Sequence, residues 1–66
     1  MAKYQIIRPL VAFDPRNKIA FTIPSGSFVE KNYLIDAMAL TDVCWSGRSV
    51  WVLIQDLIGH SKPFRG

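Results

Sequence analysis

The feature that most constrains this chain is a run of five apolar residues, VWVLI at positions 50–54, shortly after a Ser-Gly pair. Side chains of an extended strand alternate between the two faces of a sheet. Three members of the run then share an inner face: Val50, Val52 and Ile54. Trp51 and Leu53 lie on the other face. A strand that is apolar on both faces is either central and covered on both sides, or carries an interface on its outer face.

The size of the chain favours the interface. With 66 residues, it forms one domain near the lower limit for a self-sufficient core. Half of the residues are hydrophobic, which argues against intrinsic disorder. We predict a single domain over residues 1–66, with an ordered part at 3–60 and a frayed tail at 61–66. Such a chain has no helix to spare as an outer cover.

The pattern along the chain predicts an all-β fold. Five strands are expected, at residues 3–13, 18–23, 27–35, 40–45 and 48–54. Pro9 cannot donate a ladder hydrogen bond, so the first strand lies at an edge or carries a bulge there. Asp14 and Asn17 favour a turn at 14–17, because an Asp side chain bonds forward to the backbone and Asn tolerates a left-handed conformation.

The other connections are less regular. A second turn is expected at residues 24–26, and a two-residue hairpin loop at 46–47. Residues 35–40 favour a loop, although their composition also permits a helical turn. Near the C-terminus, a short helical or 3₁₀ turn is predicted at 55–60, with Gly59 as its stop, Asp56 as a cap and Leu57 as a plug.

Two resemblances follow from this pattern. Five short strands closed by a 3₁₀ turn resemble the small Src-homology-3-like (SH3-like) barrels, which implies a small five-stranded barrel or meander. More narrowly, TIPSG at 22–26, VCWSGR at 43–48 and the Asp56-Leu57 pair resemble short, uncharacterised bacterial proteins with a T-I-P-x-G, V-x-W-x-G-R and D-L pattern. None of these motifs is a catalytic signature, and residues 34–40 depart from the pattern by lacking a glycine.

The sequence shows no constellation typical of an enzyme. The serines lie near turns, where their hydroxyls bond to the backbone. His60 is expected to be a solvated turn residue, and Cys44 a small buried hydrophobe unless Arg48 activates its thiol. One cysteine and one histidine do not make a metal-ligand cluster. We therefore predict no catalytic, cofactor-binding or metal-binding residues, and no cofactor.

The uneven charge supports an alternative function. The net charge is +3, and the first half of the chain carries the whole excess, with five basic and two acidic residues against three of each in the second half. The candidates are four basic residues near the first hairpin: Lys3, Arg8, Arg16 and Lys18. With Tyr4 and Phe13 nearby, they are typical of small basic barrels that bind nucleic acids by phosphate contacts and stacking. The usual explanation for such residues, a solvated hairpin face, stays open.

The preferred prediction is a non-catalytic interaction module that self-associates or docks on a protein partner. Trp51 and Leu53 are the candidate interface residues, since Trp is prominent among residues that dominate interface energies. The alternative is that Trp51 folds over the barrel mouth beneath residues 34–40. No apolar run approaches the roughly 20 residues of a membrane helix, and no signal peptide is recognised, so a cytoplasmic bacterial protein is expected.

Overall fold

The computed structural model describes residues 2–31 and 39–65. Within those residues the chain forms seven β-strands and one short α-helix. The elements are β1 Ala2–Ile6, β2 Leu10–Phe13, β3 Ala20–Ile23, β4 Phe28–Lys31, β5 Leu40–Trp45, β6 Arg48–Leu53, α1 Ile54–His60 and β7 Ser61–Pro63. All strands pair antiparallel in one sheet, in the order β3-β2-β6-β5-β4-β1-β7.

The short hairpin, β5 with β6, closes on a two-residue turn. Ser46 and Gly47 both have positive φ, at 53° and 80°. This combination defines a type I′ turn, whose twist matches that of the flanking strands. The register then runs without interruption from Trp45 opposite Arg48 to Leu40 opposite Leu53. The predicted strand at 40–45 and the predicted hairpin loop are confirmed.

The long hairpin joins β1 and β2 on one side to β3 and β4 on the other. Its register is unchanged from Ala2 opposite Lys31 to Phe13 opposite Ala20. At its tip, a carboxylate oxygen of Asp14 accepts a hydrogen bond from the Arg16 amide at 2.8 Å, as the sequence predicted. The left-handed residue in this turn is Lys18, with φ 60°, rather than Asn17.

The long hairpin bends at residues 7–9, which we call the corner. Here the predicted strand 3–13 breaks into β1 and β2. The sequence predicted an edge or a bulge at Pro9. Instead, β1 ends at Ile6, and the C-terminal end of α1 supplies the hydrogen-bond acceptor for the next residues. The amides of Ile7 and Arg8 donate to the His60 carbonyl at 2.8 and 3.2 Å. The Ser25 hydroxyl also donates to the Ile7 carbonyl, at 3.0 Å.

The corner makes the sheet curl. Four strand spacings separate β2 from β1 in the sheet order, which in a flat sheet would take roughly 19 Å. The four residue steps from Ile6 to Leu10 reach at most about 14 Å. The sheet therefore wraps around its buried face. Within residues 2–31 and 39–65 the sheet keeps two edge strands, β3 and β7, and is not closed into a barrel.

The predicted five-stranded barrel is thus wrong in strand number and closure. Two strands were missed because the break at the corner divides the first predicted strand, and because the predicted C-terminal tail contains β7. Ser61–Pro63 pair with β1 from Ile6 to Tyr4, so this part of the tail is ordered. The mostly-β class and the short C-terminal helix are confirmed.

The core lies inside the curled sheet. Its buried apolar residues are Ile6, Leu10, Ala12, Ile23, Val29, Val43, Val50, Val52 and Leu57. Val50 and Val52 occupy the inner face as predicted, whereas Ile54 already belongs to α1 and is half-buried. Leu57 is buried and brings α1 into the core, although there is no closed barrel whose end it could plug as predicted.

Two details of the C-terminal helix differ from the prediction. Asp56 is not a cap: the N-cap position is Leu53, without a side-chain cap hydrogen bond, and Asp56 lies in the first turn. Its negative charge suits the positive end of the helix dipole there. Gly59 does not stop the helix, which continues to His60. The predictions for residues 32–38 lie outside the described residues.

Candidate interaction surfaces

The outer face of β6 carries the two predicted interface residues. Trp51 stands opposite Phe13 of β2, and Leu53 stands opposite Leu40 of β5. Directly paired residues share a sheet face, so these four side chains lie together on the side away from the core. Trp51 and Leu53 are 39% and 38% exposed, which is high for large apolar side chains at the centre of a sheet. We call this surface the indole face.

The indole face contains an open groove with a volume of about 350 Å³. Its apolar lining is formed by Phe13, Leu40, Trp51 and Leu53. Asp14 and Lys18 complete the lining from the tip of the long hairpin. Asp42 of β5 stands opposite Trp51 on the same face, so the surroundings of the groove include two acidic residues and one basic residue. The structure thus places both predicted interface residues in one concave apolar site.

Sequence reasoning missed two members of this groove. Leu40 could have been found, because the two-residue loop at 46–47 sets the register that brings it opposite Leu53. Phe13 could not be found in this way. Its position beside Trp51 depends on the pairing of β2 with β6, which no local pattern indicates.

The four basic candidates are not gathered in one patch. Lys3 lies at the open end of the long hairpin, while Arg16 and Lys18 lie in its tip. Arg16 has its guanidinium 3.8 Å from the Asp14 carboxylate, and in this pair the Arg16 side chain is 82% exposed whereas that of Asp14 is 13% exposed. Arg8 lies at the corner, where its guanidinium donates to the Gly59 carbonyl.

Lys3 instead belongs to a second aromatic surface, which we call the phenyl patch. The rings of Phe28 and Phe64 meet edge to face, with their centroids 4.8 Å apart. The Lys3 ammonium lies 5.3 Å from the Phe28 centroid and 5.5 Å from the Phe64 centroid. Lys62 is on the same side, because it and Phe28 both stand opposite Gln5. Neither phenylalanine was a candidate from the sequence.

A third aromatic group serves the fold. Phe21 and Trp45 stack with centroids 5.6 Å apart, and both pack against the core. The Arg48 guanidinium lies over both rings, 5.1 Å from the Phe21 centroid and 5.6 Å from that of Trp45. The motif V-x-W-x-G-R is therefore explained by a core valine, a stacked indole, a turn glycine and a covering guanidinium.

The residues with reactive side chains have structural surroundings. The Nδ1 atom of His60 lies 2.8 Å from the Pro9 carbonyl, so this side chain is bound to the corner rather than simply solvated. Cys44 is half-buried, opposite Glu30 and Ser49 on the outer side of the sheet. Arg48 covers aromatic rings on the inner side, so it does not supply a positive neighbour for the thiol.

In residues 2–31 and 39–65, no group of three or more His, Cys, Asp or Glu side chains could hold a metal ion. No helix in the same ranges is long and apolar enough to cross a membrane. Comparison with protein families, with curated proteins and with solved structures finds no match.

Proposed function

We propose that this protein is a non-catalytic interaction module, and that it acts by self-association through the indole face. The observation that carries the proposal is the apolar groove around Trp51 and Leu53 on the outer face of a central strand. Trp51 and Leu53 are already about three-fifths buried, so covering the remainder would contribute roughly 0.6–1.2 kcal/mol each, two-fifths of the value for a fully exposed side chain. An exposed groove of this kind is typical of a recognition surface.

A second copy of the chain suits the groove because the surface carries both acidic residues, Asp14 and Asp42, and a basic residue, Lys18. Asp14 and Lys18 lie beside the same apolar lining. A two-fold axis through the groove would bring the acidic residue of one copy toward the basic residue of the other, while the apolar residues meet at the centre. A partner of one charge sign would match only one of these two residues.

The proposal is tested by measuring mass with multi-angle light scattering at micromolar concentrations. The wild-type chain should have twice the monomer mass of 7.5 kDa. Trp51→Lys should be a folded monomer, because it removes the apolar anchor and places like charges at the interface. The inner residues Val50 and Val52 are untouched by this change, so circular dichroism should keep the wild-type spectrum.

Ile58→Lys is the matched control. Ile58 is exposed on α1 and does not line the groove, and its substitution adds the same charge. This variant should remain a dimer. A wild-type monomer at these concentrations would refute the proposal. If Trp51→Lys unfolds, Leu53→Lys decides the question, and a folded dimer of that variant would also refute it.

A further inference from the structure

The phenyl patch lies apart from the indole face. It is formed by β4, β1 and the end of the chain from β7 onward, whereas the groove belongs mainly to β2, β6 and β5. Phe28 is 41% exposed although it lies in a paired strand. The Phe64 amide donates to the Lys3 carbonyl at 2.9 Å, which extends the pairing beyond β7 and holds the second ring beside the first.

The patch carries two lysines and one acidic residue. The Lys3 ammonium is close to both rings, and the exposed Lys62 lies in the row of Phe28, two strands away across Gln5. Glu30, opposite Lys3, is the acidic residue in the same rows of the described sheet. An exposed ring with one ammonium group beside it and a second lysine in the same row combines a stacking surface with charges for phosphate oxygens.

We propose that the phenyl patch binds single-stranded nucleic acid. A base stacks on the exposed ring of Phe28, Phe64 supports that ring from its edge, and Lys3 and Lys62 contact the phosphates on either side. Gln5, in the row between Phe28 and Lys62, offers an amide that can donate to or accept from a base edge. Because every base has a π-face, little sequence preference is expected.

The surroundings of the rings favour this partner over a lipid surface. Interfacial lipid binding needs a continuous apolar face that enters the acyl boundary. Here the apolar surface is interrupted: Gln5 stands opposite Phe28, and Glu30 stands opposite Lys3 in the neighbouring row. Entry of the patch into the acyl region would desolvate the Glu30 carboxylate. A flat base above the sheet would leave both polar groups in contact with water.

The test is fluorescence anisotropy with a labelled oligothymidylate of about 12 nucleotides, a length within the usual site size. The wild-type chain should bind, with log K falling against log salt at a slope of about −1.4 for two phosphate contacts. Phe28→Leu, which keeps apolar bulk but removes the ring, should weaken binding at least about fivefold. Phe28→Trp should retain binding. Lys3→Ala should reduce the slope by about 0.7.

Arg16→Ala is the control for Lys3→Ala, since it removes one positive charge from the tip of the long hairpin. It should leave both the affinity and the slope close to wild type. Equal losses for Arg16→Ala and Lys3→Ala would show diffuse attraction and overturn the proposal, as would full binding by Phe28→Leu. Absence of oligonucleotide binding at low salt would also overturn it, including the case in which vesicles of anionic phospholipid bind instead.

The outcome is separable from that of self-association. Trp51→Lys changes the indole face and leaves the phenyl patch intact, so the monomeric variant should bind the oligonucleotide with the same salt slope. If Trp51→Lys lost oligonucleotide binding while Phe28→Leu kept wild-type affinity, the phenyl-patch proposal would be wrong, and the nucleic-acid site would be assigned to the indole face.

Discussion

The short hairpin and the long hairpin change direction in different ways. The short hairpin reverses at the two-residue turn 46–47, whereas the long hairpin bends at the corner, residues 7–9, which is hydrogen-bonded to α1. In the short hairpin, Ser46 and Gly47 adopt the left-handed conformations that the turn requires. In the long hairpin, the amides of residues 7 and 8 are satisfied by the carbonyl of His60, more than fifty residues later in the chain. One element is therefore specified locally, and the other depends on the position of α1.

This difference predicts how each hairpin responds to damage. A hairpin with a well-matched turn retains its register when remote contacts are lost. The corner instead loses the partners of its backbone amides if α1 moves. Residues 7–9 are exposed, so water can replace the His60 carbonyl, and each lost hydrogen bond costs about 0.5–1.5 kcal/mol. Substitutions in α1 should therefore affect the long hairpin, and substitutions at residues 46–47 should affect the short one.

The largest effect is expected from Leu57→Ala. Leu57 is buried and anchors α1 in the core, so its truncation should lower the free energy of unfolding by about 2–5 kcal/mol. A 66-residue domain has only about 3–10 kcal/mol in total. Urea unfolding followed by circular dichroism measures the change. Ile58→Ala, at the exposed neighbouring position, should remain within about 0.5 kcal/mol of wild type; equal losses would contradict the anchoring role.

A smaller effect is expected from Gly47→Ala in the short hairpin. No atom lies within 4 Å of the added methyl group, so the cost comes from the positive φ alone and should be about 1–2 kcal/mol. Gly59→Ala is the matched control. Gly59 is helical and equally uncrowded, so alanine should stabilise by about 0.5–1 kcal/mol. Opposite signs in urea unfolding are expected, and a destabilised Gly59→Ala would contradict the helical assignment.

The same contrast explains what could be predicted from the sequence. The bounds of β5, the loop at 46–47 and the two faces of β6 follow from alternation and turn chemistry, which act over a few residues. The break at the corner does not follow from the local sequence. Pro9 indicates only that strand pairing is interrupted, whereas the hydrogen-bond partners of the corner belong to α1, far along the chain. For the same reason β7 was read as a tail: nothing in its three residues indicates that the edge of β1 is open to pairing.

The candidate surfaces divide in a similar way. Trp51 and Leu53 could be assigned to an outer face from a single strand, and the structure places them there. Lys3 was identified by its charge, but its neighbours Phe28 and Phe64 come from two other segments. Charge along the sequence indicates a basic first hairpin. Pairing across strands decides which basic side chains lie beside which aromatic rings.

The smallest effect, and the most direct test of the corner, is expected from His60→Ala. The substitution removes the imidazole that lies 2.8 Å from the Pro9 carbonyl, and it keeps the backbone carbonyl that accepts from the Ile7 and Arg8 amides. One hydrogen bond should therefore be lost, at a cost of about 0.5–1.5 kcal/mol in urea unfolding. Gln55→Ala, at an exposed site on the same helix, serves as the control and should be near neutral.

Amide hydrogen exchange locates the change: the Arg8 amide should exchange faster in His60→Ala, while the amides of the short hairpin keep their protection relative to global unfolding. Uniformly faster exchange in both hairpins would show that the corner opens only when the whole domain unfolds, and the distinction between a local turn and a remotely held corner would fail.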